Sequence, residues 1–263
     1  MSDIHVALKP ETVFEIGSFP ITNAMFSSFI ISALLIIVFV VTAKRMKLVP
    51  GKGQLFIESF VMGMYNFVYN MFHHEKAARK VFPLFATLAL FFLMSNLLGY
   101  VPGLAAVKLN DVTAFRSPTT DYSMIFAITM FTFVIWQMVA LVTGGLAGYT
   151  KQFFDFSGPK SMLPINIFLG VLNIIGEVAK IVSLSFRLFG NIFAGEVIAI
   201  VLFSIAPLLV PVPFTALTLL SSVIQAFVFP ILVAIFIQMA IVMQDEMQEE
   251  KPAGDADVAK AAA

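Results

Sequence analysis

From Ile165 to Ala206 the chain runs for 42 residues, mostly apolar, without a proline. As one straight α-helix this run rises roughly 63 Å at 1.5 Å per residue. That is about twice the hydrocarbon thickness of a bilayer. Such a segment cannot stand upright in a membrane. It tilts steeply, or it breaks at Gly170, Gly176, Gly190 or Gly195. The next run, 212–243, has the same excess length and carries Pro230. "PLLVPVP", Pro207–Pro213, reads as the turn between them. Two overlong helices joined by a tight turn make an antiparallel hairpin, and packing against something large must impose the tilt.

The composition agrees with a bilayer setting. Of 263 residues, 59% are hydrophobic and only 12% charged, too little charge for the surface of a soluble domain. Net charge is zero, so no nucleic-acid partner is expected. There is no cysteine, which excludes disulfides, thiolate metal sites and thiol catalysis. The three histidines, His5, His73 and His74, lie in polar segments without metal-ligand spacing. No metal, cofactor or catalytic residue is expected. The N-terminus shows no basic stretch followed by an apolar one, so no cleaved signal is expected.

A spanning helix needs about 20 apolar residues. Residues 24–43, 81–105 and 122–148 meet that requirement and, with the two long runs, give about five passes. Residues 55–72 differ. Ser59, Gly63, Asn66 and Asn70 recur at three- or four-residue steps and form one polar stripe on a helix. This reads as an amphipathic helix in the membrane interface; the other reading is a sixth span. Basic residues set the orientation. Lys44, Arg45, Lys47 and Lys52 follow the first span, Lys76, Arg79 and Lys80 precede the second, and Lys151 and Lys160 follow the third. The opposite side carries Lys9, Lys108 and Arg116. The N-terminus is therefore expected outside and the C-terminus inside. The expected class is an all-α polytopic membrane protein. It divides into an outer segment 1–23, peripheral helices 24–160, the hairpin 161–245 with the ion path, and a flexible tail 246–263.

The hairpin carries Glu177, Lys180, Arg187, Asn191, Glu196 and Gln225 at membrane depth. Ionisable groups there cost several kcal/mol and usually serve a function. At 100° per residue, Lys180 and Asn191 fall within roughly 20° and 40° of Arg187, and Glu196 falls about 180° away. Folding about Pro207–Pro213 sets Gln225 opposite roughly 189–195. Structural readings stand beside the functional ones. Arg187 could snorkel, and Glu177 and Lys180 could sit near an interface. Asn191 and Gln225 could join helices. Glu196 could pair with Thr218, Ser221 or Ser222. Gly190, Ala194 and Gly195 could serve close helix approach rather than an ion.

"SLSFRLFGNIFAGE", Ser183–Glu196, resembles the signature of subunit a of the F-type ATP synthases, in its bacterial-like form. "LMSNLLGYVPG", Leu93–Gly103, resembles that family's second-span segment, and "IQAFVFPIL", Ile224–Leu232, its last helix. The resemblance implies a non-catalytic stator subunit of the membrane sector in a bacterial inner membrane. Its expected partners are lipid, a peripheral-stalk subunit and a rotating ring of small subunits. It implies that Arg187 faces the ring carboxylate and couples proton flow to rotation, and that Glu196 serves one of two half-channels. Asn191, Gln225 and Asn96 match polar half-channel positions, and Lys180, with Glu177 nearby, a channel mouth. The sequence departs from the family in one respect: many relatives pair the acid with a histidine on the last helix, and "TALTLLSSVIQAF" has none. A G-x-x-x-x-G-K-[ST] loop is also absent, so ATP chemistry is assigned to partners. The competing reading is an ion-coupled secondary transporter, against which stands the lack of an internal repeat.

Overall fold

The computed structural model describes residues 11–16, 19–48, 50–101, 103–104, 107–109, 112–153, 163–205 and 210–249. Six long helices dominate: α1 (Asn23–Lys44), α2 (Lys52–Phe72), α3 (Glu75–Leu98), α4 (Tyr122–Phe153), α5 (Leu163–Ile205) and α6 (Pro211–Glu249). All but α2 are long and apolar enough to cross a bilayer. The chain is thus an all-α polytopic membrane protein. Two small antiparallel ribbons, which hydropathy does not signal, accompany the helices. Strand β1 (Thr12–Ile16) pairs with β2 (Phe19–Thr22), and β3 (Lys108–Leu109) pairs with β4 (Val112–Thr113). Thr22 caps α1 by accepting a hydrogen bond from the Met25 amide, the usual role of threonine at that position.

The chain divides into two compact units, residues 1–129 with 183–232, and 130–182 with 233–263. In the first, α3 and α6 meet through Phe92 and Phe229, whose fully buried rings lie 4.6 Å apart. Lipid tails supply no hydrophobic force between helices, so close packing and hydrogen bonds must hold them together. The buried alanines Ala89 on α3 and Ala226 on α6 allow that approach. By contrast α1 exposes Phe29, Leu34, Ile36 and Ile37, a surface suited to lipid. Helix α2 packs on α3 through the Tyr65–Phe82 and Phe67–Phe85 ring pairs. Its polar stripe, Ser59, Gly63, Asn66 and Asn70, is exposed, and so are the apolar Phe56, Met62 and Phe67.

Several boundaries differ from the sequence reading. The second span begins at Glu75 and ends at Leu98, not 105. Hydropathy stays high through "GYVPG", yet after Leu98 the backbone turns through short bonds, from the Tyr100 amide to the Leu97 carbonyl and from the Val101 amide to the Leu98 carbonyl, and Gly103 beyond them takes a left-handed φ of 91°. Helix α4 extends to Phe153 but breaks at Gly145, with φ 65° and ψ 175°. Helix α5 is continuous for 43 residues, so none of its glycines breaks it. Pro211 and Pro213 belong to the first turn of α6, where a missing amide hydrogen costs nothing. Helix α6 also continues to Glu249, past 246. Residues 1–10, the 206–209 part of the expected turn, and 250–263 lie outside the described residues.

Candidate functional site

Within the first unit the hairpin register is fixed by two contacts. Ser221 Oγ donates to Asn191 Oδ1 at 2.7 Å. Gly195 lies so close to α6 that a Cβ placed on it would collide with Thr218 Cγ2. Gly195 therefore serves close helix approach, whereas Gly190 has open space around it. Moving one turn on from Ser221 to Gln225, and one turn back from Asn191, brings Gln225 level with Arg187. This is short of the expected 189–195, because Pro211 and Pro213 belong to α6 rather than to the turn. Leu184, Leu188 and Ile192, spaced by four, bury one stripe of α5. Arg187 stands outside that stripe and is exposed. It makes no ion pair or hydrogen bond among the described residues. The amide nitrogens Asn191 Nδ2 and Gln225 Nε2 are buried without a hydrogen-bond partner among those residues.

Glu196 occupies different surroundings. It lines a cavity of about 670 Å³ with Asn96, Tyr100, Arg116, Gly195 and Thr218. Arg116 Nη2 approaches Glu196 Oε2 at 3.7 Å. None of the three hydroxyls weighed from sequence is its partner. Thr218 instead donates to the Phe214 carbonyl, Ser221 to Asn191, and Ser222 faces Tyr100. Asn96 is buried with both amide atoms engaged. Its Nδ2 donates to the Ser222 carbonyl at 2.7 Å and its Oδ1 accepts from Thr119 at 2.8 Å. It thereby ties α3 to α6 and to the segment before α4. The Tyr100 hydroxyl lies 3.3 Å from Ser222 Oγ. Burial raises the Tyr100 pKa; the Ser222 contact opposes this and the Glu196 charge adds to it. Tyr100 thus stays a neutral hydroxyl beside the cavity.

The second unit holds another polar cluster. Lys180 Nζ donates to Glu177 Oε1 at 2.6 Å and lies 5.2 Å from the centre of the Phe236 ring, a cation–π distance. Gln137 Nε2 donates to Glu177 Oε2, and the Tyr149 hydroxyl donates to Gln137 Oε1, both at 3.1 Å. In a straight helix Gln137 and Tyr149 would stand about 18 Å apart. The break at Gly145 lies between them. Burial, then the Glu177 charge, raises the Tyr149 pKa.

The seven residues singled out from sequence thus fall into separate settings: Arg187 with Asn191 and Gln225, Glu196 and Asn96 at the cavity, and Glu177 with Lys180. Sequence reasoning missed Arg116, Tyr100, Gln137 and Tyr149 as site residues. Arg116 carried a signal, as a lone cation in the stretch "TAFRSPTTDY", but it was counted only towards orientation. Among the described residues no group of acidic and histidine side chains is placed to hold a metal ion.

Comparison with known proteins supplies a family. Residues 25–238 match the model described as ATP synthase A chain. The chain is 38% identical to ATP synthase subunit a of Geotalea daltonii, over 82% of this chain and 86% of the relative. It is 37% identical to the subunit of Geotalea uraniireducens, over 88% and 91%. With that of Moorella thermoacetica it shares 33% identity, over 88% and 95%.

Proposed function

The chain belongs to the ATP synthase A chain family of membrane-sector subunits, and from that premise we propose that it is the proton-conducting stator subunit of a rotary ATP synthase. The observation that carries the reading is the exposed Arg187, a permanent cation on a membrane helix with no anion beside it among the described residues. Charge at that depth needs a partner. A carboxylate from a rotating ring of small subunits is the partner proposed. Asn191, one helical turn after Arg187, and Gln225 on α6 keep buried amide nitrogens without a hydrogen-bond partner among the described residues, polar groups inside the hairpin behind that cation.

Protons reach Glu196 through the cavity, which Glu11, Arg116 and Thr120 also line. With the N-terminus outside, this is the outer half-channel. Glu196 takes a proton from water on one side and gives it to the ring carboxylate. The neutral carboxyl group then turns through lipid. The second path passes Glu177 and Lys180 towards the inner face. Along α5 Arg187 falls between Lys180 and Glu196 in sequence. A ring carboxylate reaching it is held ionised, so protons cross only with rotation. Each charge moved gains about 2.3 kcal/mol per 100 mV. A peripheral stalk holds the chain static, partner subunits carry out the ATP chemistry, and the assembly sits in a bacterial inner membrane.

Reconstitution separates this reading from a secondary transporter. ATP should acidify vesicles that contain the whole complex. The isolated chain should accumulate no solute under an imposed ion gradient. Gradient-driven solute uptake by the chain alone would favour the transporter.

A further inference from the structure

Arg116 comes from the segment before α4, yet it reaches an acid on α5 eighty positions away. Its side chain is only 12% exposed, whereas the Glu196 side chain is 42% exposed. The cation is thus fixed in the protein and the anion opens to the cavity. Arg116 is anchored at two points. Its Nε donates to Thr120 Oγ1 at 2.9 Å, and its amide donates to Ser27 Oγ on α1 at 3.1 Å. Thr120 Oγ1 in turn donates to the Ser117 carbonyl at 2.8 Å. The contact to Glu196, at 3.7 Å, is longer than the roughly 2.7–3.2 Å of a hydrogen bond. It is therefore a charge contact that a carboxylate can leave and rejoin at little cost. Among the described residues the other titratable groups facing this space are Tyr100 and Glu11; α6 presents Thr215 and Thr218, neither of which ionises.

We propose that Arg116 is a positioning residue for proton entry: a fixed cation that holds the Glu196 carboxylate at the cavity wall and draws it back after each proton is passed on. The proposal rests on Glu196 being the proton-transfer group of the outer path.

The test measures ATP-driven acidification in inverted vesicles carrying the full complex, normalised to the amount assembled. Arg116→Gln should lower the rate about tenfold, equivalent to roughly 1.4 kcal/mol of barrier. Arg116→Lys should keep at least half of it. Since this chain has no cysteine, Arg116→Cys in an otherwise cysteine-free complex allows charge to be restored in place. The thiolate attacks the sulfenyl sulfur of 2-aminoethyl methanethiosulfonate, a disulfide forms and methanesulfinate leaves. That reagent should restore pumping severalfold, and its neutral methyl analogue should not. Equal rescue by both reagents, or an undiminished rate in Arg116→Gln, overturns the proposal. Glu196→Gln serves as the control. If it stops pumping while Arg116→Gln does not, only the Arg116 proposal fails. If Glu196→Gln pumps normally, the reading of Glu196 fails as well.

Discussion

Arg187→Ala should abolish ATP-driven proton pumping, by about a hundredfold or more in rate, while leaving the complex assembled. The two halves of that expectation have separate grounds. Arg187 is exposed and has no ion pair or hydrogen bond among the described residues, and replacement of such a side chain usually changes stability by only about 0.5 kcal/mol. The loss is therefore functional. Without the cation, a ring carboxylate has no site that holds it ionised, and a proton can pass between the two paths without a rotation step. Passive proton leak should rise as pumping falls. Lysine should not replace it, because its ammonium is a compact point charge that can lose its proton. Fluorescence quenching in inverted vesicles, with immunoblotting for assembly, checks each part.

Gly195→Ala should disrupt the hairpin itself, and Thr218→Ala should repair it. The new methyl carbon would collide with Thr218 Cγ2 and lie 3.1 Å from both its Cβ and Oγ1. Rotating Thr218 away is not free, since its Oγ1 donates to the Phe214 carbonyl at 2.9 Å. Overpacking of this kind costs about 1–3 kcal/mol. Here it also acts one residue from Glu196 and one turn from the Asn191–Ser221 hydrogen bond. The expected result is little assembled complex and correspondingly little pumping. In the double variant Cγ2 and Oγ1 are gone, only the 3.1 Å Cβ contact remains, and assembly should largely return. Failure of Thr218→Ala to help would mean that Gly195 matters for a reason other than the approach of α6.

The membrane spans were legible because lipid imposes one requirement, a long apolar run, that composition reports directly. Their ends were not. Hydropathy carries "GYVPG" forward as span, whereas the backbone leaves the helix after Leu98. It likewise passes over Gly145, whose φ of 65° breaks α4. The polar residues of α5 were legible one by one because each is expensive at that depth. Their partners were not. Glu196 meets Arg116, and Glu177 meets Gln137 forty positions earlier, and neither separation leaves a periodic trace. The level of Gln225 was misjudged because a proline cluster looks like a turn even when part of it opens a helix. Gly195 shows the opposite case. A small residue beside an acid in an overlong helix already implied close approach, and Thr218 is the neighbour that requires it.

Glu196 and Lys180, nine residues after and seven before Arg187, should serve paths to opposite sides of the membrane. With no native cysteine in this chain, Glu196→Cys and Lys180→Cys can each be probed alone in the assembled complex with a membrane-impermeant thiol reagent, applied first from one side and then from the other. Glu196→Cys should be modified only from the outer side, and Lys180→Cys only from the inner side. Modification of both from the same side would contradict this.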